Sequence, residues 1–255
     1  LRKLFILIFT IFTINLTANE NELIVALGAK DYPPFYFIQD GKYHGSSMEI
    51  AQTVAKRLGY KLVFKRYPWS RVLSYLEHGH VDMVLHFFNT AERASSVIYT
   101  GVPHIFESSY LFVNSKSNIS YSGDLEKMKA YRFSNVRGYS HGVKYDSASY
   151  LNKTTVTSEV NLIRMLTLNR FDIAVGNKPT ILMYAKQDDL NKKIKFLSPP
   201  IDKAPSYMAF SRIKANSKAL AAAFTEEIVA FKKTDEYKNI LKKYGFSYPK
   251  ITNTP

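Results

Sequence analysis

Apolar positions recur along the chain at two spacings, and the switching between them predicts a succession of strands and helices. A short extended run, Leu23 to Ala26, is followed by Lys30-Asp31-Tyr32-Pro33-Pro34-Phe35, where two prolines exclude a helix and a central strand. Ala51, Val54, Ala55 and Leu58 repeat at i, i+3, i+4 and i+7, predicting a helix over Ser47 to Leu58 that stops at Gly59. Lys61 to Arg66 alternates as a strand does. Ser70 is expected to cap a short helix that buries Leu73 and Leu76 and ends at Gly79, with Val81 to Leu85 as the next strand. Strands alternating with helices in this way imply parallel pairing through helical crossovers.

The pattern recurs after residue 130. Arg132 to Arg137 is strand-like, Gly138-Tyr139-Ser140-His141-Gly142 is a turn entering a helix, and Thr154 to Val156 is strand-like again. A helix from Ser158 is expected to bury Leu162, Met165 and Leu166. It runs into Arg170-Phe171-Asp172-Ile173-Ala174-Val175, an echo of His80-Val81-Asp82-Met83-Val84-Leu85. The repeat predicts an α/β protein of two lobes, each a mainly parallel sheet flanked by helices. Beyond it, Leu197 to Pro205 reads as a proline-rich loop and Tyr207 to Ile213 as a strand. A helix with Leu220, Ala223, Phe224, Ile228 and Phe231 on one face follows, and a last short helix ends at Gly245. Ligands bind where loops leave the carboxyl ends of parallel strands. Those loops carry Tyr32 to Phe35, Trp69, His86 to Arg93, Gly138 to His141 and Gly176 to Lys178, so two facing lobes would line one cleft with them.

Composition supports this picture and narrows the chemistry. The 255 residues are 46% apolar and 14% aromatic, enough for two packed lobes. Lys and Arg outnumber Asp and Glu by 35 to 21, a net charge of +14. The basic residues form pairs such as Lys192-Lys193 and Lys242-Lys243 rather than long runs, which argues for a diffuse field and against a nucleic-acid partner. The absence of cysteine excludes disulfides, thiol nucleophiles and cysteine-based metal sites. Arg2 and Lys3 precede the mostly apolar run Leu4 to Leu16, which ends in Thr17-Ala18 as a cleaved secretory signal does. A bilayer span needs about 20 apolar residues, so an anchor is disfavoured. Cleavage after Ala18 would release a periplasmic protein, and no cysteine is available there for a lipid anchor.

Several motifs, taken in order, resemble family 3 of the bacterial extracellular solute-binding proteins, the polar amino acid binders of ABC importers. They include Tyr32-Pro33-Pro34-Phe35, Leu58-Gly59-Tyr60, Gly79-His80-Val81-Asp82, Thr90-Ala91-Glu92-Arg93, Gly138-Tyr139-Ser140, Asn169-Arg170-Phe171-Asp172 and Lys243-Tyr244-Gly245. Pro68-Trp69-Ser70-Arg71 resembles a divergent branch of that family. The resemblance implies a two-lobed clamp, with residues 1–18 as signal, 19–112 and 207–255 as the first lobe and 113–206 as the second. It implies two hinge crossings, near Phe112 to Asn114 and near Ser206 to Phe210, closure on a small molecule, and a monomer that serves an inner-membrane ABC permease. It assigns Arg93 to the ligand carboxylate, which a guanidinium holds through paired charge-assisted bonds, and adds Thr90 and the Ser140 hydroxyl.

Two departures stand out. The family's usual aspartate for the ligand ammonium is replaced by Asn177, and the small residues before Thr90 are replaced by His86, Phe87 and Phe88. Tyr32, Phe35, Trp69, Phe88 and Tyr139 would make the pocket aromatic, suited to a ring or to a cation over a π face. His86 and His141 are candidate polar pocket residues. Gly138-Tyr139-Ser140-His141-Gly142 also fits a hydrolase nucleophile elbow, but no histidine follows it to complete a triad. His78 and His80 lack a metal-ligand pattern, so no metal and no cofactor are expected. Asp82 and Asp172 sit within the repeats and read as structural. The expected function is a non-catalytic periplasmic binder of a small polar or zwitterionic solute. A cyclohexadienyl dehydratase-like enzyme of the same fold and a standalone sensor-input protein are the alternatives.

Overall fold

In the computed structural model, which describes residues 21–246, Leu23, Val25 and Leu27 turn inward from β1 (Asn21–Gly28) onto a core that begins the first lobe. The expected signal segment, 1–18, lies outside the described residues. After the hairpin of β2 (Phe37–Gln39) and β3 (Lys42–His44) come α1 (Ser46–Arg57), β4 (Tyr60–Tyr67), α2 (Trp69–Glu77), β5 (Met83–Phe88), α3 (Ala91–Ala94) and β6 (Val97–Tyr99). The long β7 (Ile105–Asn114) passes to a second core, built from β8 (Arg132–Val136), α4 (Val143–Asp146), β9 (Asn152–Val156), α5 (Glu159–Thr167), β10 (Ile173–Asn177), α6 (Lys178–Gln187) and β11 (Ile194–Phe196). The chain returns along β12 (Asp202–Ser211) and finishes the first lobe with α7 (Ser217–Phe231) and α8 (Asp235–Lys243).

The strands form one curled sheet in the order β4-β1-β5-β12-β7-β10-β8-β9, with β6 added beside β12 and β11 beside β7. Pairing is parallel at each end, β1 with β4 and β8 with β9 and β10. In the middle it is antiparallel: β5 with β12, β12 with β7, and β7 with β10. The α/β two-lobed expectation holds, and the antiparallel centre is what lets two strands run between the lobes. Phe210, Phe224 and Phe231 are fully buried in the first core and Phe133 in the second. Each such side chain stabilises its lobe by roughly 1.5–3 kcal/mol.

The repeated aspartates have one role, played twice. Asp82 accepts the Ile24 amide at 2.7 Å and pairs with Lys214, while Asp172 accepts the Arg132 amide at 2.8 Å and pairs with the Arg132 guanidinium. Each carboxylate thus satisfies an amide at or near the start of a neighbouring strand, where the ladder has no partner to give it.

Some expectations are corrected. Pro68, not Ser70, caps α2: its carbonyl accepts from the amides of Arg71 and Val72, and its fixed φ suits the residue before a helix. Met165 is 37% exposed, because α5 turns Leu162, Ile163 and Leu166 inward instead. Part of the expected 197–205 loop is strand. Pro205 lies in β12 opposite Phe106, at a position where Ser206 then carries the buried pairing onward.

Candidate functional site

The loop from Asp31 to Tyr36 is held against the start of α1. Ser46 donates through its amide and its hydroxyl to the Pro34 carbonyl, and the Met48 amide donates to the Phe35 carbonyl. Helix-start amides that lack partners within the helix are thereby used to fix the loop. Close approach requires Gly45, whose φ of +127° is open mainly to glycine and where a Cβ would overlap the Phe35 carbonyl.

Between the two cores lies a cavity of about 40 Å³ walled by Tyr32, Tyr36, Trp69, Phe88 and Tyr139, with Arg93, His86, Glu107 and Ser140 as its polar members. The aromatic wall is a connected surface: Tyr139 stands edge-on to Tyr32 at 5.9 Å and to Trp69 at 5.6 Å between ring centroids. Tyr32 comes from the first lobe and Tyr139 from the turn that follows β8 in the second.

Arg93 is held from three sides. Its guanidinium lies 4.3 Å from the Phe87 ring centre, and it donates to the Phe88 carbonyl at 3.3 Å and, across the cleft, to the Gly138 carbonyl at 2.7 Å. Burial pulls its pKa below the usual arginine value. Trp69 Nε1 donates to the same Gly138 oxygen at 3.0 Å. Further along the cleft, the Thr180 hydroxyl donates to the Pro33 carbonyl at 2.7 Å and the Tyr184 hydroxyl to the Asp31 carbonyl at 2.6 Å. The lobes therefore meet directly, and Gly138 carries two of the bonds.

Of the residues expected at the site, Tyr32, Trp69, His86, Phe88, Arg93, Tyr139 and Ser140 come together around the cavity. Thr90 instead caps α3 through the Arg93 amide and faces an adjoining chamber of the cleft. Phe35 is buried, its ring 4.1 Å from the His86 ring, and it supports the cavity from behind. Asn177 caps α6 by accepting from the Thr180 amide. The Ser140 hydroxyl donates to Asp146, which also accepts the His141 amide. His141 is buried, with Nδ1 3.2 Å from the Ser109 hydroxyl and Nε2 without a partner.

Tyr36, Glu107 and Glu159 are among the cleft residues that have no counterpart in the sequence expectations. Glu107 is 2% exposed on β7, where it accepts from the Tyr32 hydroxyl at 2.6 Å and lies 2.7 Å from His86 Nε2. Glu159, at the start of α5, accepts from the Tyr139 hydroxyl at 3.0 Å, and burial raises its pKa. The signal for Glu107 was an acid alternating in phase with the inward Ile105 and Leu111 of one strand, a position that normally carries an apolar residue. Among the described residues, no group of three or more His, Asp and Glu side chains could hold a metal ion.

Burial lowers the His141 pKa to about 4. A histidine that stays neutral when folded but protonates near 6.5 when unfolded stabilises the fold above that unfolded value. Stability is therefore expected to decline as pH falls from about 6.5 to about 4, and His141→Asn should flatten that part of the curve. Urea melts of both proteins across this range provide the comparison, and parallel curves would assign the acid sensitivity elsewhere.

Two lobes joined by paired strands, with an aromatic cavity and a half-buried arginine at their contact, define a ligand-trapping clamp. The chain belongs to the bacterial extracellular solute-binding proteins, family 3, whose family model matches residues 24–247. It is 25% identical over 240 residues to a "Probable histidine-binding protein" of Campylobacter jejuni, covering 91% of this chain and 90% of that one. It is 26% identical over 219 residues to a "Probable amino-acid ABC transporter-binding protein" of Haemophilus influenzae, covering 84% and 82%. In fold it matches a histidine kinase sensor domain similar to periplasmic binding proteins, with a TM-score of 0.74 and 22% identity over 88% of this chain and 96% of that one.

Proposed function

We propose that this protein captures a small zwitterionic, amino-acid-like solute between its lobes and presents it to an ABC importer, as an exported, non-catalytic monomer. The observation that carries this reading is Arg93, a half-buried residue whose guanidinium lines the cavity from the first lobe while bonding to Gly138 of the second. A carboxylate placed there meets a rigid fork of donors in a water-poor site, where charge-assisted bonds are strongest. The relatives named for histidine and amino acid binding support the ligand class, and the basic and apolar residues 2–18 support export. β7 and β12 serve as the hinge, since they run between the two cores. A binding role is also supported over an elimination enzyme of the same fold. The cavity's acid, Glu107, receives a hydrogen bond from Tyr32 and is placed as an acceptor rather than a proton donor.

The test is a thermal-shift screen of the purified protein against the L-amino acids, followed by calorimetry and small-angle scattering on any hit. A ligand at 100 times its dissociation constant should stabilise the fold by about 2.7 kcal/mol and leave the lobes closed in solution. A confirmed ligand that leaves the distribution of molecular dimensions unchanged would sink the clamp mechanism.

A further inference from the structure

The cavity's negative charge lies on the central strand β7, not at the end of β10 where Asn177 is committed to capping a helix. We propose that Glu107 is the receptor for a cationic group of the ligand, so that the bound molecule spans from Arg93 at one charge to Glu107 at the other. This rests on the zwitterion-binding function proposed above and names the second half of that recognition.

Glu107 is supported by a buried chain of hydrogen-bonding groups. His86 Nε2 lies 2.7 Å from one carboxylate oxygen, His86 Nδ1 3.0 Å from the Ser47 hydroxyl, and that hydroxyl 2.8 Å from His104 Nε2. His104 Nδ1 is buried without a partner. These distances constrain the protons. If His104 Nε2–H donates to Ser47, and Ser47 to His86 Nδ1, then His86 Nε2–H donates to Glu107, and the only group left over is a bare ring nitrogen that needs no donor hydrogen. With a second proton on His86 Nδ1, Ser47 either accepts from both rings and leaves its own buried hydroxyl hydrogen without an acceptor, or donates to His104 Nε2 and leaves a buried N–H on His104 Nδ1. Burial also holds the His104 pKa well below its ordinary value, in keeping with a neutral ring at that position.

With both histidines neutral, every donor in the chain points toward Glu107, and the Tyr32 hydroxyl adds another from the opposite side. In that arrangement the carboxylate receives its hydrogen bonds from neutral groups, and no cation reaches it through these bonds. A carboxylate accepts about four hydrogen bonds, of which two are filled, so acceptor capacity remains beside the cavity. An ammonium supplies the missing positive charge. Tyr32, Tyr36 and Tyr139 around it offer π faces to the same cation.

The probes are an L-amino acid that binds the wild type, its des-amino acid with the same side chain, and its decarboxylated amine, measured by calorimetry on wild type and Glu107→Gln. The inference expects the wild type to bind the amino acid about tenfold or more tighter than the des-amino acid. Glu107→Gln should erase that preference while binding the des-amino acid no more weakly. The wild-type comparison needs no variant to fold. Amino acid binding unchanged in a folded Glu107→Gln protein would overturn the receptor assignment and leave the amino-acid reading standing. Binding of monocarboxylates alone would overturn both. Binding of the amine alone, lost in Glu107→Gln, would support the receptor and overturn the amino-acid reading.

Discussion

Arg93→Ala is expected to weaken ligand binding by about 30-fold or more, the equivalent of roughly 2–5 kcal/mol, because it leaves a desolvated carboxylate facing no opposite charge. Among the described residues that line the cavity no other arginine or lysine replaces it, and Phe87 and Phe88 supply only a ring and a carbonyl to the guanidinium. Arg93→Lys should fall between the two. It keeps the charge but gives up the planar fork that reaches the Phe88 and Gly138 carbonyls together. Calorimetry on the three proteins with one ligand measures this, and an Arg93→Ala protein that binds as the wild type does would place the anion elsewhere in the cleft.

Gly45→Ala is expected to cost roughly 3 kcal/mol of stability or more, an unusual loss for the addition of one methyl group. At φ +127° the alanine is strained wherever it sits, and its Cβ would overlap backbone atoms of Phe35 and Tyr36, which cannot rotate away as a side chain can. The loop carrying Tyr32 would have to lift off α1. Because Ser47 follows two residues later and contacts both His86 and His104, binding should weaken along with stability. Urea denaturation with a ligand titration on the same preparation tests both. Gly41→Ala serves as the comparison, since its added Cβ meets nothing nearby and only the backbone conformation is penalised. Equal losses at the two positions would show that conformation alone, and not the close approach to Phe35, sets the cost.

Periodicity exposed the lobes because each half-buried helix and strand writes its inward face into the sequence. The duplicated aspartates were legible for the same reason, since both sit at the head of a strand. The central antiparallel strands were harder to see. β7 and β12 are bordered on both sides by other strands, and one carries Pro205 within it, so alternation and turn signals give conflicting readings there. At the site, motif position located Arg93, Tyr139 and Ser140, while Glu107 escaped because its in-phase alternation marks only an inward position and not what that position faces. Its role depends on His86, Ser47 and Tyr32, which come from three separate segments. Asn177 shows the converse. Its position suggested the ligand, but its side-chain oxygen accepts from the Thr180 amide as the cap of α6.

Gly138 offers a single carbonyl oxygen to both Trp69 and Arg93. The residue proposed to read the ligand's charge is thereby also a fastener between the lobes, so chemical preference and the resting balance between open and shut would not drift independently at position 93. Trp69→Phe separates them, because it deletes one fastener and leaves the guanidinium in place. A lineage adapting this clamp to a new solute has its freest choices along the aromatic wall and its most entangled ones at the arginine.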